Sequence, residues 1–221
     1  MSKPLVIAVD GPSGSGKSSV CRAVATQMGL DYLDTGSMYR AVTWYLQSVG
    51  VDLGNTEQIS QLVDSVVVVP STNPTEPGIR VGTMDVSNPI RGDVVTQGVS
   101  AVSAVPRVRE VMVNLQREIV AKSLSGIVVE GRDICSVVLP DATVKLFLTA
   151  DPDARAARRA KEVGGDIAAT NESMTKRDHA DSTRPVSPLE KAEDATVIDT
   201  THMELHAVIN QVIDLVGSAH G

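Results

Sequence analysis

Short apolar runs alternate along this chain with longer stretches in which apolar residues return every three or four positions. The runs at residues 5–9, 31–34, 127–129, 143–148 and 196–198 have strand length, and all but the second are mainly aliphatic or β-branched. Residues 17–28 have helical periodicity and stop before Gly29. Residues 37–49 close on Gly50, and residues 106–124 begin at Pro106, which suits the first position of a helix. Strand and helix in alternation predict an α/β fold built on a doubly wound, five-stranded parallel sheet. Ligands of such a sheet bind at the carboxyl ends of the strands.

One region breaks the rhythm. Short β-like pieces at 66–69, 79–83 and 84–86, joined by the Pro/Gly-rich loop 70–78, predict an antiparallel meander. The chain is therefore divided into a core of residues 1–59 and 101–221 and an inserted small domain at about 60–100. Its 221 residues, 42% of them hydrophobic, are enough to bury a substantial core. Aromatic residues make up only 2%, so that core must be aliphatic, as suits a sheet covered on both faces.

A net charge of −7 argues against broad affinity for nucleic acid or anionic membranes, so an anionic ligand must be met by local positive charge. The cysteines, Cys21 and Cys135, form no metal or redox motif and fit packed thiols in a reducing cytoplasm. Met1-Ser2-Lys3-Pro4 leads into too short an apolar run for a secretion signal, and no run is long enough to span a bilayer. A cytoplasmic protein is expected.

Directly after the first apolar run stands Gly11-Pro12-Ser13-Gly14-Ser15-Gly16-Lys17-Ser18, a full match to G-x-x-x-x-G-K-[ST]. Its glycines allow a tight curl that turns backbone N–H groups inward to cradle the phosphates of a nucleoside triphosphate, with Ser19 just beyond. Lys17 reaches the β- and γ-phosphates and Ser18 offers a hydroxyl to Mg²⁺. The following helix adds the favourable dipole of its N-terminus.

Five further segments carry chemistry. Asp34-Thr35-Gly36-Ser37-Met38-Tyr39-Arg40 ends the second strand, and Arg40 lies about one helical turn into the next element, able to offer a planar fork to a second phosphate. A helix cap followed by a surface arginine is the alternative. Ser100 and Arg109 flank the start of a long helix, where spacing alone is equally compatible with an exposed basic turn. Glu130-Gly131-Arg132-Asp133 follows a central apolar strand: Glu130 or Asp133 could order the Mg²⁺ shell and Arg132 could bind phosphate, with a structural Arg–Asp pair as the alternative. Arg155, Arg158 and Arg159 share one helical face, suited to neutralising a transferring phosphoryl group or to facing solvent. Arg177, Asp181 and Arg184 fall at i, i+4 and i+7, as a ligand-facing set or a surface salt bridge.

In order and in register, these segments resemble the bacterial cytidylate kinase family over nearly the whole chain. Asp85-Val86-Ser87 with Ile90-Arg91, Pro106 to Arg109, Gly131-Arg132-Asp133, and Arg177-Asp178 through Ser187-Pro188-Leu189 follow its pattern. Thr35 stands where some members have serine, which keeps the hydroxyl. The resemblance implies the nucleoside monophosphate kinase fold and transfer of the γ-phosphoryl group of ATP, with Mg²⁺, to CMP or dCMP. It implies that Thr35, Tyr39, Arg40, Arg132 and Arg177 meet the acceptor and its phosphate and that Asp181 meets the sugar. Ser100, Arg109, Asp133 and Arg184 would read cytosine. Arg155, Arg158 and Arg159 would lie in a short lid at about 154–170 and act with Lys17 and Arg132 in catalysis. Other small-molecule phosphotransferases and regulatory ATPases are the rival classes. A monomer without nucleic-acid or membrane partners is expected.

Overall fold

The computed structural model describes residues 4–220; Met1 to Lys3, included in the reading of the N-terminus, lie outside the described residues. The chain runs β1 (Val6–Asp10), α1 (Lys17–Met28), β2 (Asp31–Asp34), α2 (Thr35–Ser48), α3 (Thr56–Leu62), β3 (Val68–Pro70), β4 (Ile79–Val81) and β5 (Met84–Asp85). It continues through α4 (Asp93–Ala104), α5 (Pro106–Lys122), β6 (Ile127–Gly131), β7 (Val144–Thr149), α6 (Pro152–Val163), α7 (Ile167–Thr183), β8 (Thr196–Asp199) and α8 (Leu205–His220). The expected five-strand parallel sheet is present in the order β2-β6-β1-β7-β8, and the expected meander is a separate antiparallel sheet, β3-β4-β5.

The alternation of side chains along each strand sends residues to two different cores. Ile7, Val9, Tyr32 and Val128 lie on one face with Val20 and Val24 of α1 and Val208, Val212 and Val216 of α8. Ala8, Leu33, Ile127 and Val129 lie on the other with Met38 and Leu46 of α2 and Val108 and Met112 of α5. The helical positions recur at four- and eight-residue spacing, which keeps each set on one side of its helix. Leu33, Ile127 and Leu146 are fully buried, each worth about 1.5–3 kcal/mol relative to exposure.

The insert builds no core of its own. Val63, Val66, Val68, Ile79, Val86 and Ile90 join the α2/α5 cluster, so the small sheet is seated on α2 rather than tethered beside it. Its loop also reaches the main sheet: the Tyr32 N–H donates to Thr72 O at 2.9 Å, and Arg22 Nε donates to Pro74 O at 3.3 Å.

Strand β6 extends past its apolar run because Glu130 and Gly131 stay in register with Asp34 on β2 and with Val9 and Asp10 on β1. At its start Gly126 has φ +88°, and a Cβ there would lie 2.6 Å from Leu5 O. Gly126→Ala is expected to destabilise the fold by about 2 kcal/mol or more, combining left-handed strain with that clash. Urea denaturation should show a lower midpoint; an unchanged midpoint would mean that the turn has another accessible geometry.

Candidate active site

The carboxyl ends of β1, β2 and β6 open into a cleft of about 990 Å³ walled by the insert on one side and by α7 on the other. The loop between β1 and α1 forms its floor. Gly11 has φ +148°, and a Cβ there would lie 2.0 Å from Leu148 O, so the chain can pass β7 only as glycine. Lys17 curls back over the loop, donating to Gly11 O at 2.7 Å, Pro12 O at 2.8 Å and Ser15 Oγ at 3.3 Å. Burial, then the Arg132 charge, pushes its ammonium pKa down, against the pull of Glu130.

Successive residues at the end of β6 are sent to different tasks. Glu130 accepts from Ser18 Oγ at 3.1 Å through Oε2 and from the Tyr32 hydroxyl through Oε1. Burial and nearby Asp34 push its carboxyl pKa up. Arg132 donates to Gly11 O at 3.0 Å, Ser13 Oγ at 2.9 Å and Asp181 Oδ2 at 3.0 Å. Asp133 is buried between Arg109, which donates to its Oδ2, and Arg184, 3.6 Å from Oδ1. Arg109 also lies over the Tyr39 ring, 5.4 Å from its centroid. Carboxylate, two guanidinium groups and an aromatic ring thus form a flat-sided polar pocket at one end of the cleft.

Between that pocket and the phosphate loop stand Arg40, Arg159 and Arg177. Arg40 donates to Ile90 O at 3.0 Å and Thr96 Oγ1 at 2.8 Å. Burial first, then the Arg177 charge, lowers its pKa to about 9, and burial with Arg132 lowers that of Arg177 to about 10. Among the described residues neither has a carboxylate within ion-pair distance, nor has Lys17. Such a cluster is complementary to phosphate oxygens.

Other arginines expected in the cleft are engaged elsewhere. Arg155 donates to Ser13 O at 2.8 Å and to Asp178, while Asp178 Oδ1 accepts from the Ser13 N–H at 2.9 Å. Arg158 donates to Thr200 Oγ1 at 2.9 Å and to Thr201 O at 3.3 Å. Of the three, Arg159 alone lines the cleft, bonded to Glu162 at 2.9 Å, because the face they share packs onto the phosphate loop and the end of β8. Asp181 pairs with Arg132 instead of its helical neighbours, and Arg184 lies just past α7. Thr35 lines the cleft with its hydroxyl on Glu130 O at 2.7 Å. Ser103, not Ser100, lies on the wall from α4. Tyr32 and Asp178 carried no separate signal, although Tyr32 shares a strand face with Asp34 and Asp178 adjoins Arg177.

Ser18 and Glu130 supply the oxygen pair that could hold a cation. No cluster of three or more His, Cys, Asp or Glu residues suited to a metal exists among the described residues. A hydroxyl and one carboxylate fit Mg²⁺, which keeps waters and takes further oxygens from substrate phosphates.

The sequence matches the family model described as "Cytidylate kinase" over residues 7–218. The chain belongs to the cytidylate kinase family. It is 55% identical to a cytidylate kinase of Streptomyces griseus over 96% of this chain and 92% of that protein. To the cytidylate kinase of Rhodococcus opacus it is 46% identical, over 98% and 96% of the two chains. Members of this family are nucleoside monophosphate kinases, so the chain is a transferase. In fold it is similar to a gluconokinase from Sinorhizobium meliloti, with a TM-score of 0.52 at 15% identity over 97% of this chain and 93% of that one. An uncharacterised protein of Eubacterium ventriosum gives a TM-score of 0.53 at 14% identity over 97% and 99%. No helix among the described residues is long and apolar enough to cross a membrane.

Arg177 has a buried Nε without a hydrogen-bond partner among the described residues, and burial with the Arg132 charge opposes its own. Arg177→Met is expected to raise Tm by about 2–4 °C, the shift produced by about 1 kcal/mol in a chain of this size. It should also weaken binding of pyrophosphate to the cleft at least about tenfold. Scanning calorimetry with and without pyrophosphate checks both, since the anion should stabilise the parent more than the variant. A lower Tm with unchanged anion response would contradict a ligand role.

Proposed function

We propose that this cleft transfers the γ-phosphoryl group of ATP to CMP or dCMP, giving ADP and CDP or dCDP. The observation that carries the reading is the division of the cleft's charges: among the described residues Lys17, Arg40 and Arg177 have no carboxylate at ion-pair distance, whereas Asp133 is held between Arg109 and Arg184 in the same cleft. The first group suits two sets of phosphates. The second suits a base edge that offers an amino donor beside two acceptors, which is the edge of cytosine.

The backbone N–H groups of residues 14–18 and the Lys17 ammonium hold the donor's β- and γ-phosphates. Arg40, Arg132, Arg177 and Thr35 hold the acceptor phosphate, and Asp181 meets the sugar hydroxyls. Asp133 accepts from the cytosine amino group while Arg109 and Arg184 donate to its acceptors; Ser103, less than one turn beyond Ser100, adds a hydroxyl on the same wall. Ser18 and Glu130 would hold Mg²⁺, which when bound neutralises charge on the β- and γ-phosphates. The acceptor oxygen is already ionised near neutral pH, so no general base is needed, and catalysis rests on in-line positioning and on cations at the transferring group.

Residues 60–100 form the acceptor-binding insert, and α6 and α7 form the lid, longer than the segment 154–170, with Arg159 as its cleft-facing cation. Closure of the two walls excludes water as a competing acceptor. A monomer is the reading for the assembly, and the buried free thiols of Cys21 and Cys135 suit a reducing cytoplasm.

Asp133→Asn replaces an obligate acceptor by an amide that can also donate. It is expected to lower kcat/KM for CMP by about 10²-fold and to narrow the preference for CMP over UMP, with ATP affinity nearly unchanged. Steady-state assays with both acceptors check it. An unaltered CMP:UMP ratio would remove Asp133 from base reading.

A further inference from the structure

We propose that Tyr32 is a positioning residue for the metal-binding end of the cleft: its hydroxyl, donated to Glu130 Oε1, holds the Glu130 carboxylate with Oε2 turned to Ser18. The inference rests on the reading in which Ser18 and Glu130 hold Mg²⁺, and deepens it by assigning the group that sets their geometry.

Strand register creates the contact. Tyr32 is level with Val128, and Asp34 with Glu130, so Tyr32, Asp34, Val128 and Glu130 all project to the α1 side of the sheet. From its place one pleat behind Glu130, Tyr32 brings its hydroxyl to Oε1 of the carboxylate at the edge of the cleft. Ser18, at the start of α1, meets Oε2. The two oxygens of Glu130 are thereby given one donor each.

Position 32 otherwise asks for an apolar residue. Its neighbours in the core include Ile7, Val9, Val24 and Val128, and Tyr32 is 2% exposed. A hydroxyl in such surroundings costs stability unless it is hydrogen-bonded, and Glu130 is the one partner this hydroxyl has among the described residues. The backbone is pinned as well, through the Tyr32 N–H to Thr72 O of the insert loop. Tyr32 is thus a rigid, buried donor aimed at a carboxylate whose second oxygen lies at the serine of the phosphate loop. This is the arrangement by which outer groups orient metal-binding ones.

The test compares Tyr32→Phe, Glu130→Gln and the double variant by isothermal calorimetry of ATP binding, in EDTA and across a series of MgCl₂ concentrations. Tyr32→Phe keeps the ring and removes the hydroxyl. Its ATP affinity in EDTA should stay within about twofold of the parent's, while the Mg²⁺ concentration that half-saturates the metal-dependent gain should rise about 10–100-fold. CMP affinity should not move. Glu130→Gln should shift the Mg²⁺ dependence at least as far, and adding Tyr32→Phe to it should shift it no further. The EDTA arm within each variant separates general damage from a metal effect: equal weakening with and without Mg²⁺ overturns the inference. Parental Mg²⁺ dependence in Tyr32→Phe, with Glu130→Gln shifted, overturns the positioning role alone. An unshifted Glu130→Gln overturns the metal reading beneath it.

Discussion

The structure is organised around cations drawn into the protein along one cleft. Lys17, Arg40 and Arg177 lie at or beneath the cleft wall with no carboxylate at ion-pair distance among the described residues, although acidic residues outnumber basic ones 27 to 20 over the chain. Burial first, and then a neighbouring arginine (Arg132 for Lys17 and Arg177, Arg177 for Arg40), lowers all three pKa values against the pull of nearby carboxylates. That cost must be carried by two aliphatic clusters on the faces of the parallel sheet, and it is offset when phosphate oxygens enter. Ligand affinity and folding stability therefore draw on the same groups.

The paired arginines do a different job. Arg132 ties the end of β6 to Gly11, Ser13 and Asp181, and the Arg155–Asp178 pair holds Ser13 through its backbone carbonyl and N–H. The first arc of the phosphate loop is thus fixed by side chains from β6, α6 and α7. A shift of the α6–α7 pair must be felt at that arc, linking closure of the wall over the cleft to the geometry of the donor site. Arg155 with Asp178 belongs to this frame, whereas Arg40 and Arg177, with no carboxylate at ion-pair distance among the described residues, line the cleft.

Much of this was legible in the chain. The apolar run, the glycine-rich octet and the amphipathic stretch after it obey local rules, and β1, the loop and α1 followed from them. The parallel sheet followed from aliphatic strands without a polar face. Its order did not, since placing β6 between β1 and β2 depends on pairing across about a hundred residues. The apolar run at 127–129 ended too soon because Glu130 is a buried charge in a strand, supported by Tyr32 and Ser18, and only tertiary contact can supply such support. Helical spacing put Arg155, Arg158 and Arg159 on a common face, yet it could not say what that face meets, and two of the three meet protein. Ser100 and Ser103 differ by less than one turn, finer than spacing resolves.

The central claim is that the partnerless cations join two nucleotide sites into one continuous channel. The most direct measurement is calorimetric binding of a bisubstrate ligand, adenosine and cytidine joined through a chain of phosphates, compared with ATP and CMP alone. Tethering should make the second binding step intramolecular and give a complex tighter than that of ATP by at least about 10²-fold, at a stoichiometry of one. A joined ligand that binds no more tightly than ATP would contradict the account, because the two sites would then not share a single phosphate channel.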